Sequence, residues 1–187
     1  IEDEGIELRG AARIRETFGD RVHISITSYN RQVLLTGEVG NERDKAQAEQ
    51  VMSRVENVKS IVNELAILGA SSLQQRSSDV LTTGKVKASL VDSKDVFAQA
   101  VKVVTERGTV YVLGRVTPRE ASRFVDVIRV QDGVHRLVLQ GLPGSLFTCG
   151  DETVCMQTGE LWWFDAAAEH FYQAFKAKDR SEERRVG

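Results

Sequence analysis

No stretch of this 187-residue chain approaches the roughly 18 apolar residues that cross a membrane as a helix. No sign of charge dominates either. There are 25 Lys and Arg against 27 Asp and Glu, a formal net charge of −2, so nothing draws the whole chain to nucleic acid or to an anionic surface. Only two cysteines are present, Cys149 and Cys155. A single disulfide and two inert thiols are both open. Structural zinc is not expected, because it takes four ligands at tighter spacing. Catalytic signatures are missing as well: there is no HExxH, no GxSxG and no paired CxxC. His23, His135 and His170 are scattered, and nothing in the spacing of Glu120, Asp126 and Asp132 around His135 argues for acid–base work. No enzyme and no cofactor is expected. The chain starts at Ile1 with no visible signal peptide, and so reads as a fragment or a mature form.

What is there is a pattern used twice. In "VHISITSYNRQVLLTGEV", Val22, Ile24 and Ile26 alternate with polar residues, the period of a half-buried strand. Asn30 and Arg31 make a two-residue turn, Asn tolerating the positive φ that tight hairpins need. Val33, Leu35, Gly37 and Val39 form the return strand. Asn41 is a good helix N-cap, with Glu42 and Asp44 in the first turn. Ala48, Val51, Met52 and Val55 then recur at helical spacing. Val58, Ile61 and Leu65 mark a third strand. Further on, "AVKVVTERGTVYVLGRV" repeats the hairpin, with Val101 and Val103 alternating and a turn at Arg107-Gly108. Thr117, Pro118 and Glu120 form a capping box with proline at the first helical position. Phe124, Val125 and Ile128 supply the helix's apolar face, and "GVHRLVLQ" closes the copy. The copies are offset by 77 positions through the hairpin and 76 at the last strand, which a one-residue deletion in the second helix explains. This is a duplication of about 65 residues per unit.

A helix precedes each hairpin. The first is "IELRGAARIRETF", with Leu8, Ala11, Ala12, Ile14 and Phe18. The second is "DVLTTGKVKASLVDS", with Leu81, Val86 and Leu90. The fold class is therefore α+β: two tandem α-β-β-α-β units, each a three-stranded mixed sheet with two helices on one face. Residues 1–68 form the first unit, the polar stretch 69–78 a linker, residues 79–140 the second unit, and residues 141–187 a tail.

The stretches "QVLLTGEV", "VENVKSIVNEL", "GTVYVLGRVTPREA" and "GVHRLV" resemble the BON domain, a small module of bacterial periplasmic and outer-membrane proteins. "DVLTTGKVKASLV" resembles the first helix of the second unit in dual-BON lipoproteins. The likeness spans roughly residues 6 to 140. It implies a non-catalytic periplasmic protein, associated with the outer membrane and supporting its integrity, whose second unit binds anionic phospholipid. The resemblance carries that contact onto Leu81, Thr83, Lys85, Val86, Lys87 and Leu90, with envelope proteins as further partners. Where the family has an aromatic residue near the start of this helix, this chain has Leu81. The lipobox cysteine of the family is not within the sequence. Leu81, Val86 and Leu90 are also residues that a small unit needs to cover its sheet, so contact and core roles both stay open. The competing reading is a periplasmic scaffold that binds protein through a sheet edge or the groove between units.

Two other features carry less. "GEVG" at Gly37–Gly40 matches the GxxG clamp of KH domains, but that clamp joins two helices, whereas this one ends a strand. No nucleic-acid partner is expected. After Gln140 the composition shifts: both Trp, both Cys and four of the seven Phe lie there. Leu161, Phe164, Ala168, Phe171 and Phe175 fall at helical spacing, and the closing "RSEERRVG" looks like translated cloning sequence.

Overall fold

Alternating apolar residues on both sides of Asn30-Arg31 produce the first hairpin. Strands β1 (His23–Tyr29) and β2 (Gln32–Val39) pair antiparallel, with Tyr29 opposite Gln32. Asn30 and Arg31 take φ of 51° and 65°, the two positive values that a type I′ turn requires. The structure is a computed structural model. It describes residues 2–69, 71–93, 97–114, 123–124, 127–128, 136–139, 145–149, 152–156, 161–165, 170–174 and 184–185. It divides into two units, residues 1–73 and 74–187.

In the first unit, helix α1 (Glu2–Phe18) precedes the hairpin and α2 (Glu42–Ser53) follows it. Asn41 caps α2 as its sequence position suggests: its side chain accepts from the Asp44 amide at 2.8 Å. Strands β3 (Ser60–Asn63) and β4 (Ala66–Ile67) then pair parallel with β2. The sheet is therefore mixed, in the order β1-β2-β3. One core joins Ile6, Ile14 and Phe18 of α1, Val33, Leu35 and Val39 of β2, Ala48 and Met52 of α2, and Val55 and Leu65. Both helices thus cover the same sheet face. The buried stripe of α1 is Ile6, Gly10, Ile14 and Phe18, whereas Leu8, Ala11 and Ala12 point to solvent. The reason is steric. A Cβ on Gly10 would lie 2.6 Å from the Met52 methyl, so α1 sits against α2 on its glycine. Near the start of α1, Glu2 accepts from the Asn57 side-chain amide and from Arg9. Those bonds, the Asn57 one first, hold its carboxyl below the usual glutamate range.

The second unit repeats this frame. Helix α3 (Leu73–Asp92) leads to β5 (Val101–Glu106) and β6 (Thr109–Gly114), joined by Arg107 and Gly108 at φ 51° and 73°. The helix starts within the stretch expected to be linker. "LQQRSS" has no Pro or Gly to stop it, and Leu, Gln and Arg all favour helix. Residues 123–124 and 127–128 are helical, with Phe124 and Ile128 buried. The capping box at Thr117, Pro118 and Glu120 and the apolar Val125 lie outside the described residues. Strand β7 (Arg136–Leu139) pairs parallel with β6, Val110 facing Leu137 as Val33 faces Ile61. The last-strand register is thus the same in both copies.

The tail departs from expectation. Instead of a helix, β10 (Leu161–Asp165) and β11 (His170–Ala174) form a hairpin, and β10 pairs antiparallel with β7. Trp, Phe and Tyr favour strands, and β7 offers its outer edge as a template. A separate hairpin joins β8 (Ser145–Cys149) and β9 (Glu152–Met156). Its register sets Cys149 opposite Glu152 and Cys155 opposite Leu146. That separates the cysteines by roughly 10 Å along the ladder, beyond the roughly 7 Å Cα reach of a disulfide. The register therefore favours two thiols.

Both return strands carry a glycine for one reason. Gly37 has φ 113°, and a Cβ there would meet the His23 carbonyl oxygen at 2.1 Å. At Gly114 a Cβ would meet Val101 Cγ1 at 2.5 Å and the Ala100 oxygen at 2.9 Å. Gly37→Ala should destabilise the protein by about 2 kcal/mol or more. Urea unfolding checks this, and an unchanged midpoint would show that the strand shifts freely.

Candidate functional site

A carboxylate near the start of each unit's first helix fixes its hairpin. Asp3 accepts from the amides of Asn30 (2.9 Å) and Arg31 (2.8 Å) and from the Ser28 hydroxyl (2.7 Å). Asp79, offset by 76 positions, accepts from the amides of Arg107 (2.8 Å) and Gly108 (2.9 Å). The next helical turn repeats the theme with different chemistry. Glu7 accepts from the Ser28 amide at 2.7 Å, and Thr83 pairs with the Thr105 hydroxyl at 2.8 Å. These bonds set which side of each helix faces its sheet. In α3 the inward stripe is Asp79, Thr82, Val86 and Leu90.

The opposite side of α3 is then forced outward. Leu73, Val80, Leu81, Gly84, Ala88 and Val91 are all exposed and fall on one side of a 3.6-residue helix. Val80, Leu81 and Val91 are 71%, 67% and 72% exposed. Lys85 and Lys87 are exposed on the two flanks of this apolar stripe. Neither lysine side chain has a hydrogen-bond or ion-pair partner among the described residues. The corresponding positions of α1 carry Glu4, Gly5, Leu8, Ala12 and Arg15, a mixed surface with a charged residue where α3 has Val80 and Val91. The two helices therefore share an inward face and differ outward.

The residues carried over from the BON resemblance divide between these faces. Leu81, Lys85 and Lys87 lie at the surface. Val86 and Leu90 do not: they are 0% and 1% exposed, so the core role left open for them is the one they fill. Thr83 is half-buried and bonded to Thr105. Of this set, Leu81, Lys85 and Lys87 are therefore the side chains exposed at the surface. Sequence reading overlooked Leu73, Val80 and Val91. Their signal was available, since Leu73–Asp92 carries two apolar stripes where one would cover the sheet.

Two α-β-β-α-β units with matched registers define the chain as a tandem-module protein. The BON domain family matches residues 9–69 and 78–139, and the chain belongs to that family. It is 31% identical over 140 residues to outer membrane lipoprotein DolP of Haemophilus influenzae, spanning 74% of this chain and 72% of that protein. It is 29% identical over 140 residues to the 21 kDa hemolysin of Actinobacillus pleuropneumoniae, with the same shares covered. The osmotically-inducible protein Y of Escherichia coli is 30% identical over 114 residues, 59% of this chain and 57% of that one.

The division of α3 into two faces is testable by stability alone. Leu81→Asp should change unfolding free energy by no more than about 0.5 kcal/mol, as surface substitutions do. Val86→Asp should cost about 3 kcal/mol or more, because it buries a carboxylate without a partner. Equal losses in thermal unfolding would contradict this orientation. Asp79→Ala should cost about 1.5–3 kcal/mol, the worth of hydrogen bonds to a charged group. The amides of Arg107 and Gly108 should then lose hydrogen-exchange protection; unchanged protection would mean the turn holds itself.

Proposed function

We propose that this protein is a non-catalytic component of the bacterial envelope, located in the periplasm at the outer membrane. It binds anionic phospholipid through the outward face of α3 and supports membrane integrity. One observation carries the reading: an exposed apolar stripe of Val80, Leu81 and Val91 flanked by Lys85 and Lys87, on the second unit's first helix and not on the first unit's. An amphipathic helix with cations beside an apolar strip is the chemistry of shallow interfacial binding. Each lysine near an anionic surface contributes about 1 kcal/mol, and a leucine taken out of water about 1.5–3 kcal/mol. Membership of the BON family and likeness to a relative named as an outer membrane lipoprotein support the location. No helix among the described residues is long and apolar enough to cross a membrane, which agrees with contact at the surface.

The test is co-sedimentation of the full chain with vesicles of phosphatidylglycerol and phosphatidylcholine, against phosphatidylcholine alone. Binding to the anionic vesicles should weaken steeply between low and physiological salt. A Leu81→Asp, Lys85→Glu variant removes one apolar anchor and reverses one charge, and should bind more than tenfold more weakly while unfolding at an unchanged temperature. Absence of binding by the folded wild-type chain, or equal binding by the variant, overturns the proposal.

A further inference from the structure

The third strand of the first unit has a second side with which no strand pairs among the described residues. Strand β3 lies at the end of the first unit's sheet. The Glu64 amide donates to the Leu35 carbonyl, and the Leu68 amide to the Val39 carbonyl, so in this parallel register the backbone groups of Ser60 and Val62 point toward β2. Strand alternation then turns those of Ile61 outward. Beside this edge runs an open groove of about 960 Å³, with Ala46, Gln47, Gln50 and Ser53 of α2 along one wall. Arg43 and Lys59 also line it. Neither side chain has a partner among the described residues, whereas Glu49, the groove's acidic residue, accepts from the Asn63 amide at 3.0 Å. Two cations against one carboxylate leave the lining of the groove with a net positive charge.

The second unit shows what such an edge does in this chain. There the equivalent strand, β7, is covered by β10, which adds antiparallel with Trp162 opposite Leu139 and Asp165 opposite Arg136. Arg136 is the counterpart of Ser60, next to Lys59. A carboxylate-bearing residue thus occupies the register position that lies beside Lys59 in the first unit.

We infer that β3 and the groove along α2 bind an extended segment of a partner protein, added as an antiparallel strand and carrying acidic residues that meet Lys59 and Arg43. Main-chain bonds to Ile61 would supply affinity, and the two cations the choice of sequence. This surface is separate from α3 and does not depend on lipid contact.

The experiment selects nine-residue peptides from a random phage-displayed library on the immobilised full chain and measures the synthetic winners by fluorescence polarisation. Two proteins are compared: wild type and an Arg43→Glu, Lys59→Glu variant. Both of these positions are exposed, and thermal unfolding verifies that the variant folds. The selected peptides should be proline-poor and rich in Asp, Glu and β-branched residues. They should bind the variant at least tenfold more weakly, and slow amide exchange at Ile61. A library that yields no binder, winners that hold the variant as tightly as wild type, or unchanged exchange at Ile61 overturns the inference.

Discussion

Each unit is organised by a carboxylate held against the amides of a tight turn. A type I′ turn leaves its backbone N–H groups directed away from the hairpin ladder, and an unsatisfied buried amide is costly. Asp3 in the first unit and Asp79 in the second answer that need from an adjacent helix. The consequence reaches beyond the turn. Once the aspartate is placed, the helix cannot rotate, so the residues three, seven and eleven positions later must enter the core: Ile6, Gly10 and Ile14, or Thr82, Val86 and Leu90. The same bond thereby decides which residues face out.

That separation lets the copies diverge. The inward positions answer to packing, and between copies they trade Gly10 against Met52 for Val86, or an acidic Glu7 for Thr83. The outward positions are exposed and take no part in the core. On α1 they hold Glu4 and Arg15; on α3 the same places hold Val80 and Val91. Stability does not require apolar residues there, and scattered exposed apolar residues are ordinary, but a continuous stripe beside two lysines is the pattern that interaction surfaces show.

The sequence makes the two hairpins legible because alternation, a turn and a glycine agree on the same few residues. The N-cap at Asn41 is equally plain, since a capping side chain acts on its own neighbours. Long-range bonds are not legible this way. Nothing local marks Asp3 as the acceptor for amides nearly thirty residues away; only its recurrence at Asp79 signals it. The helix start at Leu73 is hidden by serines that read as linker. The tail shows the same limit from the other side. Leu161, Phe164, Phe171 and Phe175 satisfy helical spacing, yet in short aromatic segments both periods fit. An available ladder on β7 then decides between them. Of the six residues that the family likeness places at the contact surface, Leu81, Lys85 and Lys87 are exposed, while Val86 and Leu90 answer to the sheet.

The edge of the sheet follows a parallel logic. A mixed three-stranded sheet closes neither end, and its third strand must carry outward amides that some group satisfies. Water does so for an open edge, at no gain in specificity. In the second unit β10 takes that role, and its aromatic residues lie in register with Arg136–Leu139. In the first unit the same edge runs beside Ala46, Gln47, Glu49, Gln50 and Ser53 of α2, with Arg43 and Lys59 also lining the groove. A strand that binds there gains the main-chain bonds that any strand would gain. What distinguishes one strand from another is the charge it brings to Arg43 and Lys59. The repeated unit of this chain thus presents two different surfaces: the outward face of α3, with apolar residues beside Lys85 and Lys87, and the edge of β3, with Arg43 and Lys59 in the groove beside it.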